Sequence, residues 1–202
     1  MAEWDEYWSG ISLGSLPTRL YNKVTFDAYK NLLDNRIKKP IILELGCGTG
    51  QISARMIKRY GGKATLIDYS RNALEIAKQS FRMHGLPVKA VISDVFKYRS
   101  KEKYDLVHSE GLIEHFKGKR QKELVNIHKR FVRQGGYVLI SVPCTTWYYR
   151  LWRRFQEKRG KWNFGYEKPM TPDELRRLMK ACGLDVIGTA KKFKFSFALA
   201  KA

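Results

Sequence analysis

The chain has 202 residues, of which 44% are hydrophobic and 13% aromatic, as expected for one folded domain and not for a disordered chain. Its 39 lysines and arginines exceed its 19 aspartates and glutamates, which gives a net charge of +20. Such a charge is typical of a protein with an anionic partner, such as RNA, an anionic membrane surface or an acidic metabolite. The alternative is that the charged surface is only solvated. Because no signal peptide and no apolar run of about 18 residues is present, we expect a cytoplasmic protein with no transmembrane segment.

The cysteines and histidines do not indicate a metal centre. Cys47, Cys144 and Cys182 are far apart and form no CxxC pair, and the four histidines lack the spacing of metal ligands. The sequence therefore predicts neither a disulfide framework nor a bound metal.

Short apolar runs alternate along the chain with amphipathic stretches, the pattern of an α/β fold with a mainly parallel, doubly wound sheet. The predicted strands are residues 41–45, 63–68, 88–92, 104–108, 137–142, 184–189 and 193–199. Helices are predicted over about 51–60, after a cap at Ser70, over 121–132, and from Thr171 to Cys182. Gly135-Gly136 is expected to end the third of these helices.

Two segments lie outside this alternation. Residues 1–35 contain Trp4, Tyr7 and Trp8 and a predicted helix from Arg19, and they form an N-terminal aromatic and helical cap. The second segment, residues 143–170, is a basic and aromatic insertion into the main domain of residues 36–202. Since ligands of such sheets bind at the strand C-terminal ends, we expect both segments to cover that edge.

A glycine-rich turn follows the first strand in the sequence Glu44-Leu-Gly-Cys-Gly-Thr-Gly50. A dinucleotide site requires the pattern G-x-G-x-x-G, but Gln51 occupies the position of its last glycine. Glu44 places a carboxylate at the strand end, where it repels a pyrophosphate and suits an ammonium or sulfonium group. The turn therefore favours a cationic ligand over a nicotinamide dinucleotide.

Acidic residues also end the next two strands. Asp68 stands where a carboxylate accepts hydrogen bonds from ribose hydroxyls, Tyr69 beside it offers a ring face to adenine, and Asp94 is a candidate acceptor for the adenine amino group. The alternative is that each residue only caps a helix, as acidic residues at strand ends often do.

With these motifs, residues 40–142 resemble class I S-adenosylmethionine (SAM)-dependent methyltransferases. The resemblance implies a Rossmann-like sheet of seven strands with an antiparallel last strand and helices on both faces. It also implies a site for SAM, with S-adenosylhomocysteine (SAH) as product. The implied cofactor-binding residues are Glu44, Gly46, Cys47, Gly48 and Gly50 for the amino-acid part, Asp68 for the ribose, Tyr69, Asp94 and Val95 for the adenine, and Ser109 beside the methyl group.

At the acceptor end, Glu110 and His115 are the candidate catalytic residues. Methyl transfer from SAM is a direct displacement, so the enzyme must mainly align the reactants, and it needs a base only for a protonated acceptor. We interpret Glu110 or His115 as the group that orients or deprotonates the acceptor. The alternative is that Glu114 and His115 cap a short helical turn or face solvent.

The insertion has an apolar helical face whose members are Trp147, Tyr148, Leu151, Trp152 and Phe155, with Arg150, Arg153, Arg154 and Lys158 on the other side. It is interpreted as a lid over the acceptor pocket, a helix on anionic lipid, or a platform for RNA. The hypothesis for the whole chain is a methyltransferase for a small or medium-sized acceptor. The alternatives are an RNA (for example tRNA) methyltransferase and a catalytically silent SAM-binding interaction protein.

Overall fold

A seven-stranded sheet forms the centre of the protein. The structure, a computed structural model, describes residues 2–10, 13, 15–162 and 164–202. The strands are β1 (Ile41–Leu45), β2 (Lys63–Asp68), β3 (Lys89–Ile92), β4 (Tyr104–Glu110), β5 (Val132–Pro143), β6 (Asp185–Lys192) and β7 (Phe195–Lys201). Their order is β3-β2-β1-β4-β5-β7-β6, and β7 is antiparallel to both of its neighbours. The predicted fold class is confirmed.

Seven helices surround this sheet in the described residues. They are α1 (Ala2–Ser9), α2 (Leu16–Leu33), α3 (Gln51–Tyr60), α4 (Arg71–Arg82), α5 (Gly118–Phe131), α6 (Trp147–Lys158) and α7 (Pro172–Ala181). A 3₁₀ turn, Ile113–His115, separates β4 from α5. Among the helices of the described ranges, none has both the length and the apolar character needed to cross a bilayer.

Two hydrophobic cores form because successive side chains of a strand point to opposite faces of the sheet. In β1, Ile42 packs into a core with residues of α2, α3 and α4. Leu43 and Leu45 pack into the other core, with residues of α5 and α7. The chain thus places helices on both faces, as the alternating pattern predicts.

Side-chain caps begin α4 and α7 where the sequence predicts them. The Ser70 hydroxyl accepts a hydrogen bond from the Ala73 amide at 3.1 Å. The Thr171 hydroxyl accepts one from the Glu174 amide at 3.2 Å, and the Glu174 carboxylate accepts one from the Thr171 amide at 2.7 Å. This reciprocal capping box satisfies two amides that the helix itself leaves unpaired.

Gly135-Gly136 does not end α5, so that prediction is wrong. The helix ends at Phe131, and both glycines lie inside β5. The Gly135 amide donates to the Ala202 carbonyl at 2.8 Å, and the Ala202 amide donates to the Gly136 carbonyl at 2.9 Å. The glycines extend the strand because the end of the chain supplies partners that are remote in sequence.

The order of the strands determines where a ligand can bind at the edge of the sheet. β1 and β4 are neighbours, while the chain passes from β1 outward to β3 before it returns to β4. The strand order therefore reverses between β1 and β4, and the loops after these strands diverge to opposite faces. This switch point is where ligands bind in doubly wound sheets.

We expect Thr171→Ala to lower the free energy of unfolding by about 1 kcal/mol, because the first turn of α7 loses its cap. Urea unfolding followed by circular dichroism measures the change. Thr171→Ser is the matched control, since it keeps the hydroxyl. Equal midpoints for wild type and Thr171→Ala would show that the capping box contributes nothing measurable.

Candidate active site

The glycine turn after β1 lies against the N-terminal helix and the loop after β4. Gly46, Gly48 and Gly50 have φ values of 63°, 49° and 60°, which side chains rarely adopt. A Cβ atom on Gly48 would lie 2.6 Å from the Trp8 ring, and one on Gly46 would lie 2.8 Å from a Leu112 methyl group. The turn therefore requires glycine for both its conformation and its close contacts.

Asp68 connects the end of β2 to this turn. One carboxylate oxygen accepts the Gly48 amide at 3.0 Å, and the other accepts the Ser70 amide at 2.9 Å. Burial raises the pKa of Asp68, although both hydrogen bonds oppose the shift. Tyr69, the next residue, is half-buried at the same edge of the sheet.

Glu44 is a buried carboxylate with an unsatisfied oxygen. Its side chain is 3% exposed, and Oε2 has no hydrogen-bond partner. His108 Nε2 lies 3.9 Å from this oxygen, but burial lowers the pKa of His108 to about 3, so the imidazole is neutral. Burial also raises the pKa of Glu44 well above its usual range. A cationic ligand would supply the missing partner, so the residues fit an ammonium or sulfonium group.

Asp94 and Val95 follow β3 beside the same edge. Asp94 accepts the Phe96 amide on its carboxylate at 2.8 Å and is half-buried, while Val95 is buried. The Ser93 amide donates to the Asp68 carbonyl at 2.9 Å, so the loops after β2 and β3 are joined. The structure therefore brings Asp94 to the end of the sheet that carries Asp68.

Ser109 and Cys47 are both buried. The Ser109 hydroxyl pairs with His128 Nε2 of α5 at 2.9 Å, so this side chain is engaged on the α5 side of β4. Cys47 is buried, and burial raises the pKa of its thiol. Its amide donates to the Ile67 carbonyl at 3.0 Å, which fixes the start of the glycine turn against β2.

Helix α1 covers the site from outside the sheet. Asp5 accepts hydrogen bonds from the Ser70 hydroxyl and, at 3.3 Å, from the Asn72 amide, so it holds α1 against the start of α4. Trp8 rests on Gly48, and Trp4 meets the ring of His115 edge to face at 5.1 Å between centroids. The N-terminal aromatic residues thus lie over both ends of the cleft.

Glu110 ends β4 and is half-buried. It accepts a hydrogen bond from the hydroxyl of Tyr21, a residue of α2. Burial raises the pKa of Glu110 to about 7, although the bond from Tyr21 opposes the shift. This carboxyl group therefore changes its charge near neutral pH, which is the property of an effective general base.

Glu114 and His115 form the 3₁₀ turn after β4. The alternative that Glu114 faces solvent is wrong, because its exposure is 1%. Burial, followed by the neighbouring charge of Glu167, raises the pKa of Glu114 well above its usual range. His115 is half-buried, and its Nδ1 lies 2.9 Å from the Tyr166 carbonyl oxygen.

The insertion reaches the site through a different part than its apolar pattern indicates. Trp147, Leu151 and Phe155 of α6 are 73%, 62% and 54% exposed, so this face does not pack over the cleft. Instead Phe164, beyond the helix, contacts the rings of Trp4 and Tyr7. The cover consists of α1 and the loop after α6.

Sequence reasoning missed Tyr21, Asp5 and Glu167. Tyr21 reaches Glu110 across 89 residues of chain, and Asp5 reaches Ser70 across 65. Glu167 accepts a hydrogen bond from the buried Tyr149 hydroxyl and lies near Glu114. No local motif marks these residues, because their partners come together only when the helices pack on the sheet.

The turn at the switch point and the sheet order are those of the class I SAM-dependent methyltransferase fold. It belongs to the family described as a methyltransferase domain, whose model matches residues 19–189. The predictions of the family and of SAM as its cofactor are thereby confirmed.

Two curated relatives have different substrates in their names. The chain is 31% identical over 112 residues to malonyl-[acyl-carrier protein] O-methyltransferase 1 of Ilyobacter polytropus, an alignment that covers 54% of the chain and 40% of the relative. It is also 31% identical over 155 residues to ribosomal RNA small subunit methyltransferase C of Haemophilus influenzae, where the coverage is 72% and 46%. The chain thus spans less than half the length of either protein.

A solved structure with the same fold is magnesium protoporphyrin IX methyltransferase from Synechocystis PCC 6803 with bound SAH. The TM-score is 0.72, the identity is 14%, and the superposition covers 99% of this chain and 93% of the other. At this identity the likeness establishes the fold.

Proposed function

We propose that the chain transfers a methyl group from SAM, by direct displacement, to an oxygen of a small molecule with an ionisable hydroxyl group. The observation that carries the proposal is the unsatisfied, buried Glu44 oxygen beside a positive-φ glycine turn at the switch point. The name of the malonyl-[acyl-carrier protein] O-methyltransferase relative supports an oxygen nucleophile. A catalytically silent SAM-binding protein would have the same cofactor site, but turnover separates the two.

The proposed cofactor contacts follow the order of the strands. Glu44 and the glycine turn bind the amino-acid part of SAM, Asp68 binds the ribose, and Tyr69, Asp94 and Val95 surround the adenine. We propose that Cys47 shapes the turn and that the Ser109 backbone lies beside the methyl group, since the Ser109 hydroxyl is already paired with His128.

SAM supplies an activated methyl group with its own leaving group, so the protein needs to align the acceptor and exclude water. We propose that residues 1–35 act as the cap that excludes water, because Trp8 rests on Gly48 and Trp4 on His115. The main domain of residues 36–202 then carries the reacting groups.

Three unpaired cysteines support a reducing, cytoplasmic setting.

The contribution of the Glu44 carboxylate to cofactor binding can be tested by calorimetry. We expect the wild-type protein to bind SAH and not NAD, and Glu44→Gln to weaken SAH binding at least about tenfold, because a hydrogen bond to a charged group is lost. Glu123→Gln, an exposed change of the same kind on α5, is the control and should leave the affinity unchanged. Binding of NAD, or unaltered SAH affinity in Glu44→Gln, would contradict the proposal.

Glu110 is proposed as the base that takes the acceptor's proton. Its carboxyl group stands at the end of β4, and its pKa near 7 leaves much of it ionised at neutral pH. The hydrogen bond from Tyr21 fixes the orientation of the carboxylate. His115 is proposed to position the loop instead, because Nδ1 is bound to the Tyr166 carbonyl.

Below its pKa Glu110 is protonated and cannot accept a proton, so kcat/KM for the cofactor should rise with pH and level off above about 7. We expect Glu110→Gln to lower turnover about 10²-fold and to remove this rise. The measurement uses SAM with a labelled methyl group and the small-molecule fraction of host extract.

Tyr21→Phe is the matched control for Glu110. It removes the donor that stabilises the carboxylate, so the midpoint of the pH profile should move to higher pH. If Glu110→Gln retains wild-type turnover at saturating acceptor, Glu110 is not the base.

RNA is the second candidate acceptor. The net charge of +20 and the relative named as a ribosomal RNA methyltransferase favour it. The same labelling experiment distinguishes the two acceptors, since the label enters either the RNA or the small-molecule fraction.

We propose that the exposed face of α6 contacts an anionic membrane surface. Trp147, Leu151 and Phe155 are exposed along one side, and Arg150 and Arg154 are exposed beside them. An exposed apolar stripe flanked by basic side chains fits the boundary between acyl chains and anionic headgroups. This surface lies apart from the cleft, so it concerns where the protein works and not the reaction itself.

We expect the protein to sediment with vesicles that contain phosphatidylglycerol and much less with phosphatidylcholine alone. Leu151→Glu should reduce this binding strongly, because a charge enters the apolar stripe. Asn126→Glu, an equal charge change on the exposed side of α5, is the control. Equal binding by both variants would exclude α6 as the contact.

A further inference from the structure

We propose that Glu114, His115 and Glu167 bind one divalent metal ion beside the acceptor end of the cleft. Each of these residues offers one ligand atom, and the three atoms lie within 4.8 Å of one another. Ligands about 2.1 Å from a common ion lie about 3 to 4.2 Å apart, so a small closing movement completes the site.

Backbone contacts bring together ligands that are remote in sequence. Glu114 and His115 belong to the 3₁₀ turn after β4, whereas Glu167 lies on the loop between α6 and α7. The Lys168 amide donates to the Glu114 carbonyl at 2.9 Å, which holds this loop against the turn. His115 Nε2 lies 3.9 Å from Glu114 Oε1.

The side chains are also oriented as metal ligands. When His115 Nδ1 donates to the Tyr166 carbonyl, Nε2 keeps the lone pair that a metal requires. The Tyr149 hydroxyl donates to Glu167 Oε1 and fixes that carboxylate. Such outer partners of imidazole and carboxylate ligands are typical of metal centres.

An unsatisfied oxygen shows that Glu114 lacks a positive partner. Glu114 is 1% exposed, and its Oε2 has no hydrogen-bond partner. In the described residues Arg153 pairs with Glu167, with Nη1 3.9 Å from Oε1, whereas no lysine or arginine forms an ion pair with Glu114. Burying two neighbouring carboxylates is costly unless a cation or a proton compensates them.

The donor set selects the kind of ion. One imidazole nitrogen with two carboxylate oxygens suits Mn²⁺, Fe²⁺ or Zn²⁺ better than Ca²⁺, which takes oxygen ligands only. This proposal departs from the sequence analysis, which predicted no bound metal, because two of the ligands are adjacent and the third follows 52 residues later.

The site adjoins Glu110, whose charge affects Glu114. A metal there would bind the acceptor oxygen and favour its deprotonated form. This role rests on the proposed methyl transfer, whereas metal binding itself does not. The experiment therefore measures binding without SAM or acceptor.

The test uses the full chain and Mn²⁺, followed by electron paramagnetic resonance. We expect one Mn²⁺ per chain, with nitrogen couplings from an imidazole in the pulsed spectrum. Glu167→Gln should weaken binding at least about tenfold. His115→Gln should weaken it similarly and remove the nitrogen couplings. Because His115 is half-buried, this variant tests the site even if Glu167→Gln fails to fold.

Glu123→Gln serves as the control and should bind Mn²⁺ as the wild type does. The proposal is overturned if the wild-type chain binds no Mn²⁺, or if His115→Gln binds it with unchanged affinity and couplings. In that case a shared proton compensates Glu114 and Glu167. If Glu167→Gln or His115→Gln loses Mn²⁺ binding but still binds SAH as the wild type does, the metal site is distinct from the cofactor site.

Discussion

Burial of carboxylates without cationic partners is the constraint on which the cleft depends. Glu44 and Glu114 each have a buried oxygen without a hydrogen-bond partner, and burial raises the pKa of both. A buried carboxylate is either neutralised by a proton or compensated by a bound cation. The cleft is therefore prepared for positively charged ligands, even though the whole chain carries a charge of +20.

The cover over the cleft, formed by α1 and the loop after α6, also affects the charges inside it. α1 is tied to α4 through Asp5 and Ser70, and the loop after α6 meets α1 through Phe164. Excluding water strengthens every electrostatic interaction inside the cleft. The exposed apolar face of α6 is not part of this cover. The helix of the insertion therefore faces solvent, whereas the loop after it contacts α1.

Sequence periodicity predicted the strands and most helices well because each element is amphipathic in its own right. The prediction failed at Gly135-Gly136, where glycines usually end a helix, because β5 pairs there with the end of the chain. The periodicity also predicted α6, but it left open what the apolar face contacts, and Trp147, Leu151 and Phe155 face outward. The end of α5 and the surroundings of α6 both depend on long-range packing, which local composition does not record.

The sequence alone determined the glycine turn, the acidic residues at the strand ends and the order of β and α units, since these follow from local spacing and backbone preference. Tertiary structure decided which side chains meet in the cleft. Tyr21 with Glu110, and Glu167 with Glu114, come from elements far apart in the chain. Their contacts depend on how helices and loops pack against the sheet, so only the folded chain fixes the charge of each group.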